Sequence, residues 1–167
     1  MKIGSTSPGD GGPTLALNSQ AVEAEKERRV GLWKEVIGAY IQDRIPPEKL
    51  NQLRIFRGQR GIWVDLRTTR ATSGDGRGVT VSVLRLGGRY TDDLRPDGLT
   101  YHYPRTAQSG RDRMEVEATK CACELQIPIF VLTPGLRPEL RWLRRAAIDS
   151  FHDSSETFEM TFLSGAL

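Results

Sequence analysis

The sequence predicts an α+β domain, a small curved sheet or partial β-barrel flanked by helices at its N- and C-terminal ends. Three observations lead there: helical periodicity near the front, a glycine-punctuated middle rich in alternating β-branched residues, and helical spacing again toward the end.

Each element has its own reason. Residues 1–18 are rich in Gly, Ser and Pro and are expected to form a flexible segment, leaving residues 19–167 as a single domain. Ser19 is a plausible N-cap for a helix carrying Val22, Val30, Leu32, Trp33, Val36, Ile37, Tyr40 and Ile41. Pro46 and Pro47 end it or open a short helix through Glu48, Leu50 and Leu53. Gly61 to Leu66 reads as a strand, Ala71 to Gly78 as a glycine-rich loop, and Val79 to Leu86 as the strongest strand, because its β-branched residues alternate. Gly87-Gly88 and Thr91-Asp92-Asp93 mark a turn, followed by a strand over Leu99–Tyr103 that Pro104 stops. Arg111 to Leu125 has helical spacing through Met114, Ala118, Cys121, Ala122 and Leu125. Ile127 to Leu132 is a buried strand closed by Thr133-Pro134-Gly135, and Pro138 to Phe151 is expected to be a final amphipathic helix.

Composition narrows the function. At 167 residues the chain can bury a core, and no apolar run is long enough to span a membrane. The N-terminus lacks an apolar signal core, so a cytoplasmic location is expected. Cys121 and Cys123 lie two apart in a helical stretch, point to different faces, and are expected to be reduced thiols. With His102 and His152 as the only histidines, neither a zinc site nor a His-rich nuclease centre has its ligands, and no metal or cofactor is expected. Asp112, Glu115, Glu117 and Lys120 faintly resemble a carboxylate nuclease site, but they fall at helical spacing, where Glu117 and Lys120 are more simply an exposed i,i+3 pair. Neither a G-x-S-x-G elbow nor a phosphate-binding Walker loop occurs, so no catalytic residue is assigned.

The charge is unevenly made. Of the 24 basic residues only Lys2, Lys26, Lys34, Lys49 and Lys120 are lysine; the other 19 are arginine. From Arg57 to Arg113 there are 11 arginines, no lysine and six acids, a local balance of +5. The planar guanidinium fork suits phosphate and guanine edges, although a GC-rich genome produces the same bias. Within this run, Tyr101 to Asp112 joins a strand to a helix and gathers aromatic rings, a proline, small residues and two arginines. Such a segment can simply be a connecting loop whose tyrosines cover the core. It can also present an apolar surface edged by cations, suited to an anion with a poorly hydrated face. Tyr101 and Tyr103 share one face of the strand and His102 takes the other.

The stretch VTVSVLRLGGRYTDDLRPDGLTYHYPRTAQSGRDRMEVEATKCACELQIPIFVLT resembles the sulfur-binding domains of phosphorothioate-dependent type IV restriction endonucleases, and more distantly the SRA domains that read 5-methylcytosine. The shared elements are a strand leading into G-x-Y-x-D-D, a hydrophobic strand after D-G, a G-R-D before a helix, and a buried strand after a proline. The resemblance spans roughly residues 50 to 135, and the Tyr103-Pro104-x-x-Ala107 pattern favours the sulfur-binding branch. It implies a shallow sulfur pocket of Tyr103, Pro104 and Ala107 with Thr106 close by. It also implies a DNA-facing set comprising Arg57, Arg60, Arg89, Arg105, Arg111, Arg113, His102 and Gln108. The implied partner is double-stranded DNA carrying phosphorothioate linkages, with a nuclease in another domain or chain doing the cutting. One departure stands out: the family's His-Arg pair falls at Phe56-Arg57. Two other readings stay open, an SRA-type reader that flips 5-methylcytosine and a protein-interaction module whose arginines are surface charge.

Overall fold

The computed structural model describes residues 12–58, 61–87 and 93–163, with side chains from residue 18 onward. Among the described residues, four helices accompany one seven-stranded sheet that curls into a half-barrel. The strands are β1 (Gly61–Val64), β2 (Thr80–Leu84), β3 (Leu94–Arg95), β4 (Gly98–His102), β5 (Ile129–Pro134), β6 (Arg141–His152) and β7 (Thr157–Phe162). They lie in the order β1-β2-β5-β6-β7-β4-β3. Only β2 and β5 run parallel.

The helices are α1 (Gly12–Ala39), α2 (Pro47–Gln52), α3 (Leu66–Ser73) and α4 (Ser109–Glu124). They cover both faces of the sheet, and the central strands alternate accordingly. On β5, Ile129 and Val131 join a core with Cys121 and Ala122 of α4, while Phe130 and Leu132 join a second core with Trp33 and Val36 of α1 and Leu50 of α2. Every residue of β2 is buried, as expected of a strand covered on both sides. The curl brings the two ends of the sheet within reach across α4. A Cβ at Gly61, which opens β1, would sit 4.0 Å from the Tyr101 hydroxyl on β4.

Several expectations need correction. The predicted C-terminal helix over Pro138–Phe151 is instead β6, hydrogen-bonded to β5 on one side and β7 on the other. Leu, Arg and Ala favour helices, but pairing on both edges overrides that weak preference. The period of two was hidden because adjacent arginines on opposite faces both pack on rings. Arg144 lies 3.4 Å over Trp142, and Arg145 lies 4.9 Å over Trp33. β7 completes a hairpin with β6 and was not anticipated. The first helix already includes residues 12–18, ahead of the expected start at Ser19; residues 1–11 of the expected flexible segment lie outside the described residues. Leu66 and Ala71–Ser73, read as strand and loop, belong to α3, which Gly74 ends in the left-handed conformation at φ 75°.

Candidate nucleic-acid interface

The strand-to-helix segment sits where β4 leaves the sheet. The Tyr103 N–H donates to the Glu156 carbonyl (2.8 Å), and Pro104, having no N–H, ends the ladder. The Tyr103 ring stacks at a tilt on Phe158, with centroids 4.6 Å apart. Its hydroxyl donates to Asp153 Oδ1 (2.9 Å), which also takes the Lys120 ammonium at 2.9 Å. Burial, then the bond to Asp153 and its charge, push the Tyr103 phenol well above its usual range. Lys120 and Tyr103 together hold the Asp153 carboxyl below its own. Tyr101, on the same strand face, is likewise pushed up by burial and by nearby Glu115. His102 takes the opposite face, its Nε2 2.8 Å from Asp93 Oδ2.

Beyond Tyr103 the chain is shaped by a carboxylate on α4. Asp112, nearly buried in the first turn, accepts the Thr106 N–H (2.7 Å) on one oxygen and the Thr106 hydroxyl (2.8 Å) on the other. The same hydroxyl oxygen accepts the Gln108 N–H at 3.1 Å. Pro104 is half-buried, while Arg105, Thr106, Ala107 and Gln108 are exposed. The four residues expected to form the pocket therefore lie on one braced surface bend, with a ring fixed at its base.

The cations divide. Arg105, 79% exposed, pairs with Glu156, and Arg111 pairs with Glu115 at 2.9 Å. Burial lifts the Glu115 carboxyl above its ordinary range against the pull of Arg111. Arg113 is exposed and has no ion pair among the described residues. Arg57 lies apart, beside α2, its Nε donating to the Asn51 carbonyl (3.2 Å). Arg60 and Arg89 lie outside the described residues. Phe56, where the resemblance implies histidine, is buried in the α1-side core, so that position serves packing here. Asp112, Glu115, Glu117 and Lys120 do not form one cluster: Asp112 holds Thr106, Glu115 pairs with Arg111, Glu117 pairs with Arg77 and, as its spacing predicts, with Lys120, and Lys120 also pairs with Asp153. Among the described residues no three His, Cys, Asp or Glu side chains are grouped to hold a metal ion, and no helix is long and apolar enough to cross a membrane.

Residue pattern alone missed Asp153 and Glu156, and it named Asp112 and Lys120 only within a faint carboxylate set, not as the brace of Thr106 and the partner of Asp153. An aspartate in the first turn of a helix, after a threonine-bearing loop, was the one available signal. The other contacts depend on the unanticipated β6–β7 hairpin. Set against family models, curated proteins and solved structures, the chain matches none.

Proposed function

We propose that this domain reads duplex DNA in which a phosphorothioate replaces a backbone phosphate, and so directs a nuclease elsewhere to modified DNA. The observation that carries the reading is the Tyr103–Ala107 bend, an exposed, partly apolar edge braced by Asp112 and flanked by Arg105, Arg111 and Arg113. Substituting sulfur for a non-bridging oxygen keeps the charge but makes that edge larger and poorly hydrated. Pro104 and Ala107 desolvate sulfur at little cost, whereas a phosphate oxygen there loses water bonds at about 1–3 kcal/mol or more. Discrimination is then mainly a penalty on the wrong atom. The Tyr103 hydroxyl is committed to Asp153, so the tyrosine offers its ring.

Affinity has to come from guanidinium contacts with neighbouring phosphates. Arg105 and Arg111 are held by carboxylates, but both guanidiniums are mostly exposed; exchanging the Arg105–Glu156 surface pair for phosphate gives up about 1 kcal/mol or less, whereas moving Arg111 leaves the buried Glu115 without its partner. The test is a gel shift with duplexes that do or do not carry a single Rp phosphorothioate. The expected outcome is clear preference for the modified duplex, and Pro104→Ser should remove it while leaving salt-sensitive binding. Equal binding of both duplexes by the natural protein rules the reading out.

A further inference from the structure

On the other side of the sheet, α1 and the β5–β6 ladder enclose a cleft of about 290 Å³. Lys26, Arg29 and Val30 line it from the helix, and Pro128, Phe130 and Arg145 from the sheet. Lys26, Arg29, Val30 and Trp33 fall at spacings of three and four, so one helix face presents them all. Two of the cations are deeply buried: Arg29 is 3% exposed and Arg145 is 7% exposed.

Their partners differ. Arg29 donates from Nε to Glu25 (2.8 Å) and from one terminal nitrogen to the carbonyls of Thr80 (2.8 Å) and Pro128 (2.9 Å), but its Nη2 is buried without an acceptor. Glu25 is shared with Arg28, so one carboxylate serves two guanidiniums. Arg145 has no carboxylate partner among the described residues; its Nε is buried without an acceptor, and its plane lies over Trp33. The Trp33 indole N–H is also buried without an acceptor. Each such donor is destabilising unless something accepts from it. Native interiors rarely leave several together.

We infer that this cleft binds a small oxyanion, a carboxylate or phosphate ester carried on a compact apolar body, between Arg29 and Arg145. The charge is held by donors that nothing among the described residues satisfies, and Val30, Pro128 and Phe130 supply apolar walls for the rest of the ligand. Burial depresses the Arg145 guanidinium with no opposing carboxylate, as expected where the counter-charge comes from outside. This inference stands apart from the DNA reading, since the cleft and the Tyr103 bend lie on opposite faces of the sheet.

Isothermal titration of the whole chain tests it with four probes: benzoate, phenyl phosphate, inorganic phosphate and neutral benzyl alcohol. Benzoate or phenyl phosphate should bind at about 1 mM or tighter. Arg145→Met should weaken that probe at least tenfold, and Arg145→Lys should fall between, because it keeps the charge and loses the fork. If Arg145→Met fails to fold, Arg145→Lys and the neutral probe decide the matter. Failure of both anions to bind, equal binding of benzyl alcohol, or unchanged affinity in the folded variants overturns the inference. Inorganic phosphate binding as tightly as phenyl phosphate overturns the apolar body.

Discussion

The Tyr103 bend and the α1–β6 cleft both hold arginines, yet they handle charge in opposite ways. At the bend Arg105 and Arg111 are exposed and paired, with Glu156 and Glu115, and the half-buried Lys120 is paired with Asp153. In the cleft Arg29 and Arg145 are buried and outnumber their carboxylates, with Glu25 shared between Arg28 and Arg29 and Arg145 left without one among the described residues. Among the described residues, the +5 run from Arg57 to Arg113 therefore does not mark where guanidiniums are both buried and short of counter-charge. Those come from α1 and β6, outside the run. An exposed pair can be traded for a phosphate at small cost, whereas a buried, under-compensated guanidinium is a standing demand for an anion.

The largest way to break this contrast is at Glu25. Burial pushes its carboxyl up, but hydrogen bonds and charge from Arg28 and Arg29 outweigh that and hold it below the ordinary range. Glu25→Gln leaves Arg29 buried with no carboxylate and should cost about 3–5 kcal/mol in chemical denaturation. The sign with pH follows from the lowered value. The carboxylate's contribution is present above its unfolded pKa and disappears as pH falls through the folded one. The natural protein should lose this part of its acid stability across that window, and Glu25→Gln should not. An unchanged denaturation midpoint would mean that Arg29 finds solvent or another anion in place of Glu25.

A smaller effect is expected at the bend. Asp112→Ala removes both acceptors of Thr106 and should cost about 1–3 kcal/mol. Its sharper consequence is functional: without the brace, preference for the sulfur-bearing duplex should fall toward that for plain DNA, while plain binding persists. Retained preference would show that the bend keeps its shape without Asp112.

How much of this was readable beforehand follows from where the information resides. β2, β4, α4 and β5 were found within a residue or two because their burial is local and periodic: Val79 and Val83 face one core, and Val81 faces the other. The bend itself was visible because Pro104 must stop a ladder. β6 was misread because its buried face carries Arg145 where an aliphatic residue would have revealed the alternation. With β6 misread, β7 had no partner, and Asp153 and Glu156 in the connecting turn could not be placed beside Tyr103 and Arg105. The cleft was invisible for the same reason, since Arg29 and Arg145 are 116 positions apart and meet only if residue 145 lies in a strand.

The smallest change separates the two regions most cleanly. Glu156→Gln removes the partner of an arginine that is 79% exposed, so stability should move by no more than about 0.5 kcal/mol. If Arg105 touches a phosphate, the variant should bind modified and plain duplexes more tightly by the same factor, up to about fivefold, because a surface pair of 1 kcal/mol or less no longer competes. The ratio between the two duplexes should stay constant, since sulfur is judged at Pro104 and Ala107 and not at the cation. Tightening confined to the modified duplex would place Arg105 against the sulfur-bearing linkage itself. No tightening at all would remove Arg105 from the interface and leave Arg111 and Arg113 to carry the charge.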